Sequence, residues 1–432
     1  MGLPPAFLSA KSPLPPAGHA QRGGDEARHC YDTRVLPSSF SIMPIRLLFL
    51  NTRDQCGADV AVHLSLMANF TPEEVEVFVI SNSEAIDAEE MRTRFAAMPH
   101  VTSSFLPLGK PVDALAQKSR LGKALAYGPS AISLLKAAAF VRRHRIQVVH
   151  ATDRPRDSAY VSLLGYMSSA RSVVHMHAPP SQLSRPTLWG MHHAAAVFAV
   201  SDYVRESLVG MGITAEKIST IHNAVDADHF DPDRRLEGLP SIREQFGIPL
   251  GARIAGIVAR MNPWKGQFEL IGAVSRLKDA YPDLHVVILG ADVPEMRAAY
   301  ENKARDGGIA DRVHFGGFQA DVRRFLLEID LFVHPSYGEP FGLSIVEAMA
   351  MRKPVIACNT GGVPEIITHG RDGWLVPERS EEAVAAAISA LLDDGDLCRQ
   401  LGGRARDTVR GRFSPRQQCA AVTQRYASLL AN

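Results

Sequence analysis

Two glutamates, Glu339 and Glu347, are separated by seven residues in the segment that follows the apolar run Leu331–His334. Glu339 falls among glycines and prolines, and a largely apolar helix containing Glu347 is predicted to begin near Gly342. The first turn of such a helix presents unpaired backbone N–H groups and the positive end of the helix dipole, which suits a diphosphate. A carboxylate on that helix could bind both hydroxyls of a ribose, because its two oxygens match a vicinal diol. The alternative for Glu347 is a solvated carboxylate, and local chemistry alone leaves both open.

A second segment places two cations after a predicted strand. Arg260 and Lys265 lie in R-M-N-P-W-K-G, between the predicted strand Ile254–Arg260 and the predicted helix Gln267–Lys278. Each cation could contact one phosphate of a leaving diphosphate, and such contacts strengthen as the leaving group gains charge. Loop cations are usually only solvated, but ligands of parallel α/β sheets bind at the carboxyl ends of strands. The position therefore favours an anion site.

These segments belong to an alternation of short apolar runs and longer helical stretches that begins at Ile45. Continuous apolar runs such as Ile45–Leu50 are typical of parallel strands buried on both faces. The alternation occurs in two sets, which predicts an α/β protein with two doubly wound domains. The segment Asn223–Pro240, rich in Asp, Pro and His, is interpreted as the interdomain linker.

The predicted domains are residues 43–224 and 225–414, and a terminal helix at 415–430 is expected to pack back on the first domain. Residues 1–42 are rich in Pro, Gly, Ser and Ala without hydrophobic periodicity, which predicts a disordered leader. The leader lacks the continuous apolar stretch of a secretory signal. Translation could also begin at Met43, which a strand-like run follows at once.

The composition is that of a globular protein without a charge bias. Of 432 residues, 46% are hydrophobic and 22% charged, with 47 Lys and Arg against 46 Asp and Glu. Nucleic-acid binders usually carry a basic excess, so nucleic acid is not an expected partner. The five cysteines are scattered without C-x-x-C spacing, which favours a reducing, cytoplasmic location. The sequence contains no apolar run of the ~18 residues that a membrane-spanning helix needs.

The segment E-P-F-G-L-S-I-V-E, from Glu339 to Glu347, resembles the E-x7-E signature of the retaining glycosyltransferases of family 4, which have the GT-B fold. The similarity continues through A-M-A, P-V-I-A and G-G-V-P-E-I, and includes the R-x4-K-G loop. It also includes S-D-Y-V-R from Ser201 and I-H-N-A-V-D from Ile221, and extends over nearly all of residues 45–413. The resemblance implies two Rossmann-like domains whose parallel sheets face each other across a cleft.

The resemblance also implies roles for individual residues. In that family the first glutamate of the signature lies beside the transferred sugar and the second binds the nucleotide ribose, and these positions are Glu339 and Glu347 here. The backbone at the start of the helix contacts the sugar and the phosphates, and the two loop cations hold the diphosphate. Family members also have a glycine-rich loop after the first strand, where this sequence has Gly57. The implied donor-binding residues are Gly57, Arg260, Lys265, Phe341, Gly342, Leu343 and Glu347.

In this family a histidine after a strand of the N-terminal domain often lies near the acceptor and the transferred sugar. In V-V-H-M-H-A-P-P the better match is His177, because His175 falls inside the predicted strand. His150, at the end of the predicted strand Gln147–His150, is a weaker candidate for the same crevice. A single histidine is otherwise more often structural. The predicted catalytic residues are His177, Glu339, Arg260 and Lys265.

No metal or cofactor is expected beyond the nucleotide-diphosphate sugar, UDP- or GDP-linked, as co-substrate. The D-x-D patterns at Asp226–Asp228 and Asp231–Asp233 lie in the predicted linker, and His192–His193 has no partners at metal-ligand spacing. The resemblance implies retention of anomeric configuration. A double displacement would need a carboxylate nucleophile, which the sequence does not identify. Front-face displacement is therefore the preferred hypothesis.

The predicted function is transfer of a hexose or N-acetylhexosamine to a glycan or lipid-linked acceptor in cell-envelope or exopolysaccharide synthesis. The alternatives are a sugar-nucleotide epimerase, a phosphorylase, for which no pyridoxal-binding lysine is identified, and a non-catalytic nucleotide-sugar-binding protein. The basic segments Lys118–Lys123 and Arg142–Arg145 indicate either peripheral contact with the inner face of the plasma membrane or ordinary solvated faces.

Overall fold

The predicted alternation of strands and helices is present in the computed structural model, which describes residues 43–53, 58–108, 120–152, 157–180, 184–236 and 238–431. The strands are β1 Ile45–Asn51, β2 Val75–Asn82, β3 Val101–Leu106, β4 Val148–Ala151, β5 Arg171–Met176, β6 Ala196–Ala199, β7 Ile218–Thr220, β8 Arg253–Val258, β9 Leu284–Leu289, β10 Val313–Gly317, β11 Leu331–His334, β12 Val355–Cys358 and β13 Trp374–Val376. The helices are α1 Ala58–Asn69, α2 Ala88–Ala96, α3 Arg120–Arg143, α4 Asp157–Ser168, α5 Arg185–His193, α6 Asp202–Gly210, α7 Ile242–Phe246, α8 Gln267–Arg276, α9 Pro294–Asp306, α10 Arg323–Glu328, α11 Leu343–Ala350, α12 Val363–Ile366, α13 Glu381–Asp393, α14 Gly395–Arg412 and α15 Pro415–Ala431.

The described strands form two parallel sheets with the same winding. The first has the order β3-β2-β1-β4-β5-β6-β7 and the second the order β10-β9-β8-β11-β12-β13. In each sheet the chain first winds outward on one side of its opening strand and then crosses to the other side. This reversal, between β1 and β4 and again between β8 and β11, leaves a crevice at the carboxyl ends of the strands, where ligands of such sheets bind.

The inner strands of both sheets are buried on both faces, as their apolar sequences predict, whereas the edge strand β3 is partly exposed. Phe49 of β1 and Phe332 of β11 are completely buried, and helices cover both sides of each sheet. Burial of each such aromatic side chain contributes roughly 1.5–3 kcal/mol to folding. The sheets are therefore rigid supports for the loops that leave their carboxyl ends.

The terminal helix α15 packs against α1, beside the first sheet. Tyr426 of α15 is completely buried, and its ring stacks on Phe198 of β6 with 5.9 Å between centroids. Val225 donates a backbone hydrogen bond of 2.9 Å to the carbonyl of Phe413, just before α15. The end of the described chain is thus part of the core beneath the first sheet.

Some elements are absent from the sequence-based prediction. The pair α2 and β3 was not predicted, and α14 was missed because Gly402, Gly403 and Gly411 argue against a helix. Gly402 has a packing reason: a Cβ there would lie 2.1 Å from the carbonyl oxygen of Arg352. The prediction also extended the strand ending at Val258 by two residues.

The Asp-rich segment 223–240 contains no helix or strand in its described residues. Asp226 Oδ1 accepts the backbone N–H of Asp228 at 2.9 Å, which fixes a turn. Asp231 contacts Arg406 of α14 at 3.1 Å. The D-x-D patterns therefore hold the backbone and anchor α14.

Candidate functional site

The predicted anion site lies at the reversal point of the second sheet. β8 and β11 are hydrogen-bonded neighbours, with Leu331 paired to Ala255 and Phe332 to Gly256. The chain leaves β8 toward α8 and β9 on one side, and leaves β11 toward α11 and β12 on the other. Their loops, residues 259–266 and 335–342, consequently begin side by side at the crevice.

The two loops are bonded to each other. The backbone N–H of Tyr337 donates to the carbonyl of Trp264 at 3.0 Å, and its hydroxyl donates to the carbonyl of Pro263 at 2.5 Å. Gly266 has a φ of 82°, and a Cβ there would lie 2.4 Å from the carbonyl oxygen of Pro335. Only glycine allows this approach without displacement of one loop.

Lys265 and Glu339 meet where the loops join. Lys265 Nζ lies 2.5 Å from Glu339 Oε2, which also accepts from Ser336 Oγ at 3.1 Å and contacts His334 Nε2 at 3.4 Å. Burial alone would raise the pKa of Glu339, but the bond to His334 and the charge of Lys265 lower it to about 2. Burial lowers the pKa of His334, so a neutral ring donates to the carboxylate. Glu339 is thus an anion at neutral pH and cannot act as a proton donor.

The backbone of Glu339 is held by the glycine pair of the G-G-V-P-E-I motif. Gly362 donates its N–H to the carbonyl of Glu339 at 2.8 Å. A Cβ on Gly361, whose φ is 64°, would lie 2.4 Å from that carbonyl oxygen, and one on Gly362 would lie 2.3 Å from the oxygen of Pro340. The sequence had suggested these glycines only through the resemblance, and the structure gives them a steric reason.

Helix α11 begins beside Glu339 without a side-chain cap. Its N-cap residue, Gly342, has a φ of 95° and makes no capping hydrogen bond through a side chain. A Cβ there would lie 2.9 Å from Ile345 Cδ1 and 3.3 Å from Glu339 Cγ. Leu343, the first helical residue, is half-buried. Ile345 donates its N–H to the carbonyl of Gly342 at 3.0 Å, so among the described residues the N–H groups of Leu343 and Ser344 are those available to an anion.

Glu347 lies one turn further along α11 and is half-buried. Burial, and then the charge of Asp321, raise its pKa to about 7. Within the described part of the chain, no group hydrogen-bonds to its carboxylate. The carboxylate of Glu347 is therefore able to accept hydrogen bonds from a ligand or from solvent, and its ribose role stays a prediction.

Phe341 contributes through its backbone and not through its ring. The ring is 2% exposed and packs on His222 and Phe413, with centroids 5.9 and 5.7 Å apart. A ligand at the start of α11 could contact only the main chain of this residue. The side chain instead anchors the loop to the segment that connects the two sheets.

Arg260 is exposed, two residues beyond the end of β8. Its carbonyl accepts a hydrogen bond of 3.2 Å from Gln267 Nε2, which fixes the loop backbone. The structure brings Lys265 onto Glu339 directly, whereas the guanidinium of Arg260 is in the same loop but makes no salt bridge with a described carboxylate. The two predicted cations thus lie in one loop, where the side chain of Lys265 is held by an ion pair and that of Arg260 is not.

His177 directly follows β5 and belongs to a group of buried imidazoles. Its ring lies 4.4 Å from that of His175 and 5.0 Å from that of His63, which sequence reasoning did not identify. His150, predicted to end a strand and face the crevice, is instead buried within β4, and its Nδ1 lies 2.5 Å from the hydroxyl of Tyr426. Burial is the first cause that lowers the pKa of each of these histidines, so they are neutral at pH 7.

A carboxylate of the second half binds the first half. Glu365 of α12 accepts the backbone N–H groups of Asp202 at 2.8 Å and Tyr203 at 3.0 Å, at the start of α6, and contacts His222 Nε2 at 3.0 Å. Burial opposes ionisation, but these hydrogen bonds lower the pKa of Glu365. An anion at a helix start is stabilising. Glu365 was matched in the sequence only as part of a motif.

Two predictions concern residues that the structure describes only in part. Gly57 and Lys118 lie outside the described residues. Arg142, Arg143 and Arg145, at the end of α3, are exposed. Among the helices that the structure describes, none is long and apolar enough to cross a membrane.

Two family models match the chain in succession. Residues 60–229 match the family described as Glycosyltransferase Family 4, and residues 240–408 match the family described as Glycosyl transferases group 1. Together these ranges contain the histidine group, both loops and α11.

Similar proteins carry related names. The chain is 32% identical over 228 residues to the D-inositol 3-phosphate glycosyltransferase of Corynebacterium glutamicum (strain R), covering 50% of this chain and 53% of that protein. It is 33% identical over 190 residues to the lipopolysaccharide core biosynthesis glycosyltransferase LpsE of Rhizobium meliloti (strain 1021), covering 44% and 53%. The chain spans about half the length of the curated relatives it matches.

Solved structures match nearly the whole chain. HepE of Anabaena, crystallised with UDP, has a TM-score of 0.73 at 21% identity, covering 89% of this chain and 100% of that one. A glycosyltransferase from Rickettsia africae has a TM-score of 0.75 at 22% identity, covering 90% and 99%. At this identity the likeness concerns the fold, and it confirms the predicted GT-B architecture.

Proposed function

We propose that this chain, which belongs to glycosyltransferase family 4, the group 1 glycosyl transferases, transfers a hexose or N-acetylhexosamine from a nucleotide-diphosphate sugar with retention of configuration. The acceptor is a glycan or a lipid-linked glycan. The observation that carries the proposal is the 2.5 Å contact between Lys265 and Glu339 beside the uncapped start of α11. This arrangement provides a cation, backbone N–H groups at a helix start and a carboxylate that is ionised at neutral pH, all within one crevice.

The donor occupies that crevice in the proposed complex. Its diphosphate lies against the first turn of α11, with Lys265 and Arg260 as counter-ions. Its ribose binds Glu347, whose carboxylate has no partner among the described residues. Its sugar hydroxyls bind Glu339, which remains ionised because its pKa is about 2. The nucleotide is UDP or GDP, and HepE, which is similar in fold, has been crystallised with UDP-glucose.

The transfer proceeds by front-face displacement. The bond between the anomeric carbon and the β-phosphate oxygen breaks, and the acceptor oxygen bonds to the same face of that carbon. The acceptor proton passes to an oxygen of the departing diphosphate. Negative charge develops on the diphosphate as its bond breaks, and Lys265, Arg260 and the start of α11 stabilise that charge. The step itself requires no metal ion.

His177 lies on the acceptor side of the proposed active site. It is neutral at pH 7 because burial lowers its pKa, so it can bind a hydroxyl without introducing a charge. Its place directly after β5 at the carboxyl edge of the first sheet supports this role. The name of the relative LpsE supports an acceptor from the cell envelope. The exposed arginines at the end of α3 support peripheral contact with an anionic membrane surface.

A thermal-shift screen with UDP-, GDP- and ADP-sugars tests donor binding. A ligand at 100 times its Kd adds about 2.7 kcal/mol of stability, so one nucleotide class should raise the Tm of the wild-type chain. Lys265→Ala should lose the shift. Lys303→Ala is the matched control, because Lys303 makes a similar 2.6 Å contact with Glu381 outside the site. The proposal fails if no donor class stabilises the wild type.

Incubation of the bound donor with and without acceptor extracts then separates the alternatives. A transferase consumes the donor sugar into the acceptor fraction. An epimerase converts the sugar in the absence of acceptor, and a non-catalytic binding protein leaves the donor intact in both reactions.

A further inference from the structure

Three histidines that come from different elements converge in the first half of the molecule. His63 lies on α1, His175 on β5, and His177 directly after β5. One ring nitrogen of each lies within 4.8 Å of the corresponding nitrogen of the other two. The proposed transfer uses only His177 of this set, so the presence of the other two at this position calls for another explanation.

Both ring nitrogens of His175 and one of His177 lack a hydrogen-bond partner among the described residues. His175 is completely buried, and neither of its ring nitrogens has a hydrogen-bond partner among the residues that the structure describes. The same holds for the buried Nε2 atoms of His177 and of the adjacent His150. A buried polar atom left unsatisfied destabilises the folded state, and such atoms are rare in folded proteins. Their concentration at one place indicates that a ligand satisfies them.

We propose that His63, His175 and His177 bind a single transition-metal cation, of the class that prefers imidazole ligands, in a three-nitrogen site with an open coordination position. Zn²⁺ is a representative of this class, and three histidines with one open position is an established arrangement for it. With metal–nitrogen distances of about 2.0–2.1 Å, the ligand atoms must approach to roughly 3.4 Å of one another.

The surroundings select against other cations. The three ligand atoms are imidazole nitrogens, and no carboxylate or thiolate belongs to the group. Mg²⁺ and Ca²⁺ require oxygen ligands, and the group offers none. Among the cations that bind imidazole, the affinity rises in the order Co²⁺, Ni²⁺ and Cu²⁺, with Zn²⁺ below Cu²⁺.

His150 packs against His175 and is itself held by Tyr426. Its Nδ1 contacts the hydroxyl of Tyr426 at 2.5 Å, and its ring centroid lies 5.3 Å from that of His175. This contact fixes the ring against the ligand group. Residues that hold metal ligands in place commonly change metal affinity by about 10–100-fold, and the ligands themselves should have at least that effect.

The test is titration of the chelator-treated full-length chain with Zn²⁺ by isothermal titration calorimetry, and with Co²⁺ by visible absorption. We expect one saturable site and a Co²⁺ spectrum of low coordination number. His175→Ala should weaken Zn²⁺ binding by at least about tenfold. His192→Ala should retain it, because His192 is an exposed histidine of α5 outside the group.

Two outcomes overturn the proposal: no saturable Zn²⁺ binding by the wild-type chain, or wild-type affinity in His175→Ala. If circular dichroism shows that His175→Ala does not fold, His177→Ala replaces it, since His177 as a whole residue is less buried than His175. Undiminished affinity in folded His177→Ala likewise overturns the proposal.

Discussion

Lys265 Nζ contacts Glu339 Oε2 at 2.5 Å, although the two residues are 74 positions apart and follow different strands. β8 and β11 are neighbours from which the chain departs in opposite directions. Their loops are bonded to each other through Tyr337, so the contact is formed before any ligand arrives. In the proposed donor complex, Lys265 would therefore interact with both Glu339 and a phosphate.

Glu339→Gln tests the pairing through the acid dependence of stability. The folded-state pKa of Glu339 is lowered to about 2 from an ordinary value of 4.5. Its contribution to the free energy of unfolding is therefore present above pH 4.5 and lost as the pH falls toward 2. Relative to Glu339→Gln, the wild type should lose up to about 3 kcal/mol over that interval in urea unfolding experiments. Parallel pH profiles for the two proteins would contradict the pairing.

Glu347→Gln should make the protein more stable at alkaline pH while weakening its binding of the donor. Because burial and Asp321 raise the pKa of Glu347 to about 7, the folded state binds a proton that the unfolded state has lost above pH 4.5. Stability from this group therefore falls as the pH rises from 4.5 to 7, and the glutamine variant should be more stable at pH 8 by roughly 1–3 kcal/mol. A Tm at pH 8 that is lower than wild type would contradict this prediction.

The affinity for a nucleotide-diphosphate sugar should depend on the same ionisation. In the proposed complex the ionised Glu347 accepts both ribose hydroxyls, so the Kd of the wild type should decrease from pH 6 to pH 8 by up to about tenfold. Glu347→Gln should show a weak and nearly pH-independent Kd in calorimetric titration. A wild-type Kd that is constant over this range would exclude the ribose role.

Glu365→Ala should loosen the connection between the two halves. The variant loses the carboxylate that accepts two N–H groups at the start of α6, so the free energy of unfolding should fall by about 1–2 kcal/mol in urea. Glu382→Ala is the control, because Glu382 is an exposed first-turn glutamate of α13. Equal effects of the two substitutions would show that the hydrogen bonds of Glu365 to the start of α6 contribute little to the free energy of unfolding.

Charge reversal tests the membrane contact. Arg142→Glu with Arg143→Glu should weaken sedimentation with anionic vesicles by more than about tenfold, since each basic residue near such a surface contributes about 1 kcal/mol. Arg399→Glu with Arg404→Glu on α14 is the control, because those arginines are equally exposed elsewhere. Equal vesicle binding by both variants would remove the α3 end as the contact.

The sequence predicts those parts of the candidate site that depend only on which residues directly follow a strand. Lys265, Glu339 and Gly342 all follow apolar strand runs, and the general rule about strand ends places such residues at one edge of a sheet. The order of strand, glycine-rich loop and helix around Gly342 was the basis for predicting an anion site there, and that site stays a prediction. His177 likewise follows its strand directly, as predicted.

Other parts of the site depend on how helices and strands pack together, and no short sequence pattern predicts them. Nothing in A-V-H-L-S distinguishes His63 from a core residue of α1, and its approach to His175 depends on where that helix crosses the sheet. The hydrogen bonds of Glu365 join residues more than a hundred positions apart across two sheets. His150 was misjudged because Q-V-V-H does not reveal that α15 covers that side of β4.

Turnover of Lys265→Ala with the donor identified by the thermal-shift screen is the most direct test of the central claim. Loss of a charge partner that acts on the departing diphosphate should reduce kcat by about 10²–10³-fold, while Lys303→Ala should retain wild-type turnover. Donor consumption by Lys265→Ala at the wild-type rate would contradict the assignment of the diphosphate to the crevice between β8 and β11.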